Sequence, residues 1–453
     1  MTSARPFRSQ LPWQMAAWAA LLFLLTVGLY SRWNDFPFYY HTDEPRKVEQ
    51  IVKQTRDFHH PQLMLNAATV ALSASGLEKT YQNAAVAGRW MNAIFAAGAV
   101  VALTLLAWHW GGSRAAVASG TLLLLENNFF EAAHYLKEDP ALMLGISVFL
   151  LTAAAFWHSP SRRFCLLLGM AAGLSTSGKY IGVVTFLFAV PIVVLNKRCE
   201  VPVKRRLLLL VGGFLLVISL INYQVFSSFD VLINSLKEEI GKLYSAHSRK
   251  GSVTPVDRYS LLLTSHVSVP VIVLALGYVI SQLTKIRQLT PVEWVVILLP
   301  TLLATVLLAT PKSSPRYFLP IVLLLDFSAG MAIARLSHYL GSRKIQFAPA
   351  VAAVVAAGLL AWAVVGQIPP LKQKYRAFSR DNRKVLAEWV NSNVPADAVI
   401  VEDDRVYLRG ATSRKHDKAA PKVPHTVQGA RFAPDLGTIQ TLQAQGVDYV
   451  AVF

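Results

Sequence analysis

Three stretches of this chain, Trp13 to Tyr30, Asn92 to Trp108 and Ile345 to Val365, carry no acidic residue over about a bilayer's thickness of helix. Roughly 20 apolar residues suffice for a helix to cross the hydrocarbon layer, where the backbone has no water to bond and must satisfy itself. Composition agrees: 54% of the 453 residues are hydrophobic and 15% charged, against roughly 25% charged in an ordinary soluble domain. An α-helical polytopic membrane protein follows. Apolar runs read against turn and charge signals predict about eleven spans, centred near residues 21, 99, 123, 148, 171, 188, 215, 275, 300, 326 and 355, of which those near 123 and 171 are the least distinct. Arg5 and Arg8 precede the first run as in a signal peptide, but its length and the lack of a small-residue cleavage site predict a retained helix.

Charge gives the expected orientation. The net charge of +18 does not call for nucleic acid, because Lys and Arg accumulate in the cytoplasmic loops of membrane proteins. With a cytoplasmic N-terminus, and with the short apolar stretch Leu63 to Ala74 lying along the interface or re-entering, the inside segments hold fifteen basic residues, among them Arg114, Arg162, Arg163, Lys197, Arg198, Lys204, Arg335 and Arg343. They hold one acidic residue, Glu200, with Glu293 at a boundary. Letting the short stretch cross would put Lys197 to Arg206 outside. The outer side then receives loops near 31–88 and 226–266, the turn from Glu131 to Asp139 and the connection from Pro311 to Tyr317. Residues 1–368 form the membrane domain. Residues 369–453, polar and with helical patterns at Asp381 to Asn393 and near Leu436 to Gln445 and strand-like Ala398 to Val401 and Val447 to Phe453, form a small extracytoplasmic α/β domain. Two cysteines, Cys165 and Cys199, are too few for a disulfide framework or a zinc site.

Candidate chemistry gathers in the outer segments. Asp43 and Glu44, followed by His59 and His60, suit general-base work at a low-dielectric flank, or a divalent cation held by Glu44, His59 and His60, or simply the start of an amphipathic helix. The third span runs out through Glu126, Asn127, Glu131, His134 and Glu138, and positions 127, 131, 134 and 138 would form one polar stripe toward the outer surface. Lys137, Lys179, Lys312 and Arg316 run against the charge bias. They suit an anionic ligand, phosphate in particular, or contact with lipid headgroups by snorkelling. No phosphate-binding Gly-rich loop or dinucleotide fingerprint is present.

These landmarks, in this order, resemble the membrane glycosyltransferases of the GT-C class, in the branch that includes protein O-mannosyltransferases and the bacterial lipid A aminoarabinose transferase. The resemblance runs through Asp43-Glu44, His60-Pro61, Gly88-Arg89-Trp90-Met91-Asn92-Ala93, the segment His134 to Asp139, Gly178-Lys179-Tyr180 and Arg316-Tyr317-Phe318-Leu319-Pro320, covering most of residues 10 to 340. It implies a polyprenyl-phosphate sugar donor, an acceptor hydroxyl on a lipid, glycan or protein at the outer face, and inversion at the anomeric carbon. By position it makes Asp43 the base or acceptor-orienting group, with Glu44 its neighbour. Asp139 carries over as the second acid and Arg316 as the basic residue before the tenth span; with the outer cations Lys179 and Lys312, Arg316 is expected at the donor phosphate. The expected setting is a bacterial inner membrane. The family's Arg before the second acid is absent, replaced by Leu136-Lys137-Glu138. Two rivals are a lipid or sugar transporter or flippase, which should show inverted repeats or mid-membrane ionisable groups, and a non-catalytic assembly protein on the same scaffold.

Overall fold

The computed structural model describes residues 12–37, 41, 43–245, 260, 267–308, 315–343, 347–380, 382–403, 406, 408, 426–430 and 437–451. They form two compact units, one of residues 1–34 and 46–372 and the other of residues 35–45 and 373–453.

The first unit is a helical bundle. The helices that lie in it wholly or in greater part are α1 (Trp13–Tyr30), α2 (Glu44–Lys53), α3 (Leu63–Ala74), α4 (Tyr81–Leu124), α5 (Asn127–Ala133), α6 (Asp139–His158), α7 (Arg162–Gly178), α8 (Val184–Leu195), α9 (Val203–Ile221), α10 (Phe229–Ser245), α11 (Val269–Leu283), α12 (Pro291–Leu308), α13 (Leu319–Gly341) and α14 (Ala348–Ser379). Every predicted span centre falls inside one of these helices. Five of the described helices, α1, α4, α6, α13 and α14, are long and apolar enough to cross a membrane by length and composition; the protein is an integral membrane protein. The stretch Leu63 to Ala74 is a twelve-residue helix packed on α4.

α4 explains why the run near residue 123 is indistinct. Gly112 has φ 73° and ψ −164°, in the left-handed half of the map that side chains other than glycine's avoid. The chain reverses there: a Cβ at Gly120 would lie 2.9 Å from the Thr104 hydroxyl, although sixteen residues of straight helix span roughly 24 Å. The returning arm, Ser113 to Leu124, is only about 18 Å long. It stops inside the bundle and gives way to α5, whose N-cap is Glu126, with its carboxylate accepting from the Asn128 amide at 2.8 Å. Backbone carbonyls freed by such a break need a donor when water is absent. The Tyr30 hydroxyl supplies it, donating toward Leu124 O at 3.1 Å and Leu123 O at 3.3 Å. The expected single polar stripe is therefore corrected: α5 ends at Ala133, so Glu138 lies beyond it, and Asn127, His134 and Glu138 are buried.

The last span also continues further than its apolar run. α14 passes through Pro369 and Pro370 to Ser379, each proline removing one backbone donor. Gln367 fastens this helix to α13 by donating to Asp326 at 2.7 Å. Asp326 is fully buried and hydrogen-bonds Glu126. Asp326 lies within an otherwise apolar run, away from the outer segments where candidate chemistry was expected.

The second unit contains α15 (Asn382–Asn393), β1 (Val399–Asp403), β2 (Thr426–Ala430), α16 (Ile439–Ala444) and β3 (Tyr449–Ala451). The strands form a parallel sheet in the order β2-β1-β3. Successive strand residues face opposite ways: Ile400 packs with Val390 and Val394, whereas Val401 packs with Leu442 and Val447. Strand β2 was not expected from the sequence.

Candidate functional site

The site grows from the turn between α5 and α6. Asn92, buried in α4, clamps this turn by donating to Tyr135 O at 2.5 Å and Lys137 O at 2.8 Å. That grip presents Lys137, Glu138 and Asp139 together, all buried. α7 meets α6 closely enough that a Cβ at Gly178 would sit 2.6 Å from Leu142 N, so the tight approach requires glycine. The chain then leaves the helix at Lys179 in an extended conformation, φ −158° and ψ 141°. Lys179 Nζ consequently reaches Asp139 Oδ1 at 2.7 Å. The same ammonium lies 4.8 Å from the Tyr317 ring centroid, and the Arg316 guanidinium lies 5.3 Å from it, so one ring seats two cations.

On the other flank, Lys47 of α2 ion-pairs with Glu138 and donates to Leu136 O at 3.0 Å. His60 Nε2 stands 3.9 Å from Glu138. Val48 and Ile51 bury the apolar face of α2, and buried Lys47 is carried inward with them. Two groups respond electrostatically. Burial pulls the Lys137 ammonium down to about 7, reinforced by Arg316 and resisted by Glu138 and Asp139. Burial pushes the Glu138 carboxyl up, but Lys47, His60 and Lys137 outweigh it and hold the group well below the usual carboxylate range. Glu138 is thus a fixed anion, whereas Lys137 can take up a proton when an anion arrives.

The structure places Asp139, Lys179 and Arg316 of the expected set near one another, with Lys137, Lys47, Glu138 and Tyr317 beside them. Lys47 carried a usable signal, being one more basic residue in a segment expected outside. Lys312 lies outside the described residues. Asp43 and Glu44 belong to the second unit; the Asp43 amide donates to His41 Nδ1 at 3.2 Å, and Glu44 opens α2. Among the described residues no three His, Cys, Asp or Glu side chains gather as a metal site, so the metal expected for Glu44, His59 and His60 finds no such group. His59 instead bonds Glu238 at 2.9 Å and Arg46 at 3.3 Å.

Residues 67–232 match the model of the dolichyl-phosphate-mannose-protein mannosyltransferase family. No curated protein matches the chain by sequence. Among solved structures it is similar to ArnT from Cupriavidus metallidurans, with TM-score 0.55 and 15% identity for the apo form, and 0.53 and 16% for the form bound to undecaprenyl phosphate. Each match covers 97% of this chain and 89% of that one. It is also similar to the archaeal oligosaccharyltransferase AglB from Archaeoglobus fulgidus, in complex with an inhibitory peptide and a dolichol-phosphate (TM-score 0.54, 12% identity, 88% of this chain and 63% of that one). Identities this low speak for the fold, and the family match adds the stretch of sequence from α3 to α10, which contains Asp139 and Lys179. Fold and sequence stretch together make the chain similar to the membrane glycosyltransferases of the GT-C class.

Proposed function

We propose that this protein is an inverting glycosyltransferase that moves a sugar from a polyprenyl-phosphate donor to an acceptor hydroxyl at the outer face of a bacterial inner membrane. The observation that carries the reading is the gathering of Lys137, Lys179 and Arg316 around buried Asp139. A sugar-linked polyprenyl phosphate is a monoanionic diester, and its leaving group is a dianionic monoester. Cations arranged beforehand around that phosphate therefore favour the transition state over the ground state. The acceptor oxygen attacks the anomeric carbon from the face away from phosphate, the bond from that carbon to the phosphate oxygen breaks, and its electron pair stays with the phosphate. Asp43 takes the acceptor's proton, with Glu44 beside it in sequence. Asp139, already ion-paired with Lys179, holds that ammonium in place and is a poor base.

The N-terminus is cytoplasmic and the α/β tail extracytoplasmic in this reading, and the acceptor is a lipid, glycan or protein. The solved ArnT and AglB structures holding undecaprenyl phosphate and dolichol-phosphate support the donor class by analogy of fold. Arg316→Ala tests the phosphate role: donor affinity should fall by roughly tenfold or more, the worth of a charge-assisted hydrogen bond, with the melting temperature near the parent's. Unchanged donor affinity would remove Arg316 from the phosphate site.

A further inference from the structure

A cavity of about 1070 Å³ opens between the Gly112 turn of α4, α11 and α13. It sits at the other end of the bundle from Asp139. Along α4 the turn is twenty residues from Asn92, and along α13 Arg335 is nineteen residues from Arg316, roughly 30 Å in each case. None of the lining residues is acidic, whereas Arg114, Lys285, Arg335 and His338 all line it. Arg335 is held in place by neutral partners: it donates to Gln282 at 2.6 Å, touches Ser281 at 3.4 Å and lies 4.6 Å from the Tyr278 ring centroid. Arg114 donates to the Ser337 hydroxyl at 3.0 Å. Cations at the ends of α11 and α13 complement the helix dipoles, which accounts for Lys285 and His338. It does not account for Arg335, more than a turn inside α13. The remaining walls combine hydroxyls of Ser113, Ser281, Thr284 and Ser342 with apolar residues, of which Val273 and Leu336 are exposed on the bundle surface.

We infer that this cavity binds an anionic phospholipid, its headgroup phosphate between Arg335, Lys285 and Arg114 and its acyl chains along α11 and α13. Basic pockets between membrane helices take anionic headgroups, and each cation near the surface contributes about a fivefold factor in affinity. The exposed apolar side chains of Val273 and Leu336 beside the cations commit the site to a lipid over a free anion.

Native mass spectrometry of the full chain in detergent, titrated with phosphatidylglycerol or with phosphatidylcholine of the same acyl chains, tests this. The parent should bind phosphatidylglycerol at least tenfold more tightly. Lys285→Gln, at an exposed position, should weaken that binding about fivefold, and the pair Lys285→Gln with Arg335→Gln about 25-fold. Lys197→Gln, on a different loop, should leave it unchanged, and millimolar inorganic phosphate should not displace the lipid. Equal affinity for the two lipids would overturn the inference. So would full retention by Lys285→Gln, an equal loss in Lys197→Gln, or displacement by phosphate. A loss of folding in the double variant leaves the single variant to decide.

Discussion

Lys179→Ala separates what the ion pair does for the fold from what it does for transfer. Asp139 is buried, its side chain 5% exposed, and Lys179 approaches it at 2.7 Å with 17% exposure. Removing the lysine leaves a carboxylate inside the bundle without its closest cation, and breaking a buried pair from one side costs about 3–5 kcal/mol. Arg316 acts on the same carboxylate, which places the expected loss at the lower end, about 3 kcal/mol. Adding Asp139→Asn to Lys179→Ala removes the stranded charge, so the double variant should recover most of the lost stability. Transfer should not recover with it, since the ammonium that meets the donor phosphate is still missing. Thermal unfolding in detergent and transfer from a polyprenyl-phosphate sugar, measured on the parent, both singles and the double, complete the cycle. Transfer restored together with stability would make Lys179 purely structural, and a Lys179→Ala variant as stable as the parent would deny the buried pair.

Two other outcomes follow from the site. The Lys137 ammonium titrates near 7, below the lysine reference, and an anionic phosphate favours its protonated form, so donor affinity should be highest below pH 7 and fall as pH rises through it; Lys137→Gln should flatten that profile, and an unchanged slope would place the titration elsewhere. Asp43→Asn keeps size and capping ability while removing the basic oxygen, so transfer should drop about a hundredfold or more with melting near the parent's, whereas transfer within a few fold would leave Asp43 as a helix cap and shift the search for a base to Glu44.

Much of this architecture is legible in the sequence because membrane insertion enforces it locally: an uncharged run long enough to span has few alternatives, and all eleven expected centres lie in helices. The failures occur where long-range packing overrides the local pattern. The stripe through Asn127, Glu131, His134 and Glu138 has helical spacing, but α5 starts only after a break at Leu125, which the Tyr30 hydroxyl makes tolerable, and ends at Ala133, short of Glu138. No local signal marks Tyr30 for that task. Strand β2 is a weak pattern that pairs with β1 from more than twenty residues away. At the site, the cations were legible because they oppose a charge bias, which is a property of the whole chain. The pairing of Lys47 with Glu138, ninety-one residues apart, depends on how α2 is buried and has no counterpart in spacing.

In the proposed function the cations around Asp139 serve transfer from a lipid-linked sugar. Purified protein incubated with a panel of polyprenyl-phosphate sugars and a membrane lipid extract as acceptor, with release of free polyprenyl phosphate followed over time, tests it most directly. One donor should be consumed with release of the free lipid phosphate, and Arg316→Ala and Lys179→Ala should slow this at least about tenfold. Donor consumption equally fast in both variants would contradict it.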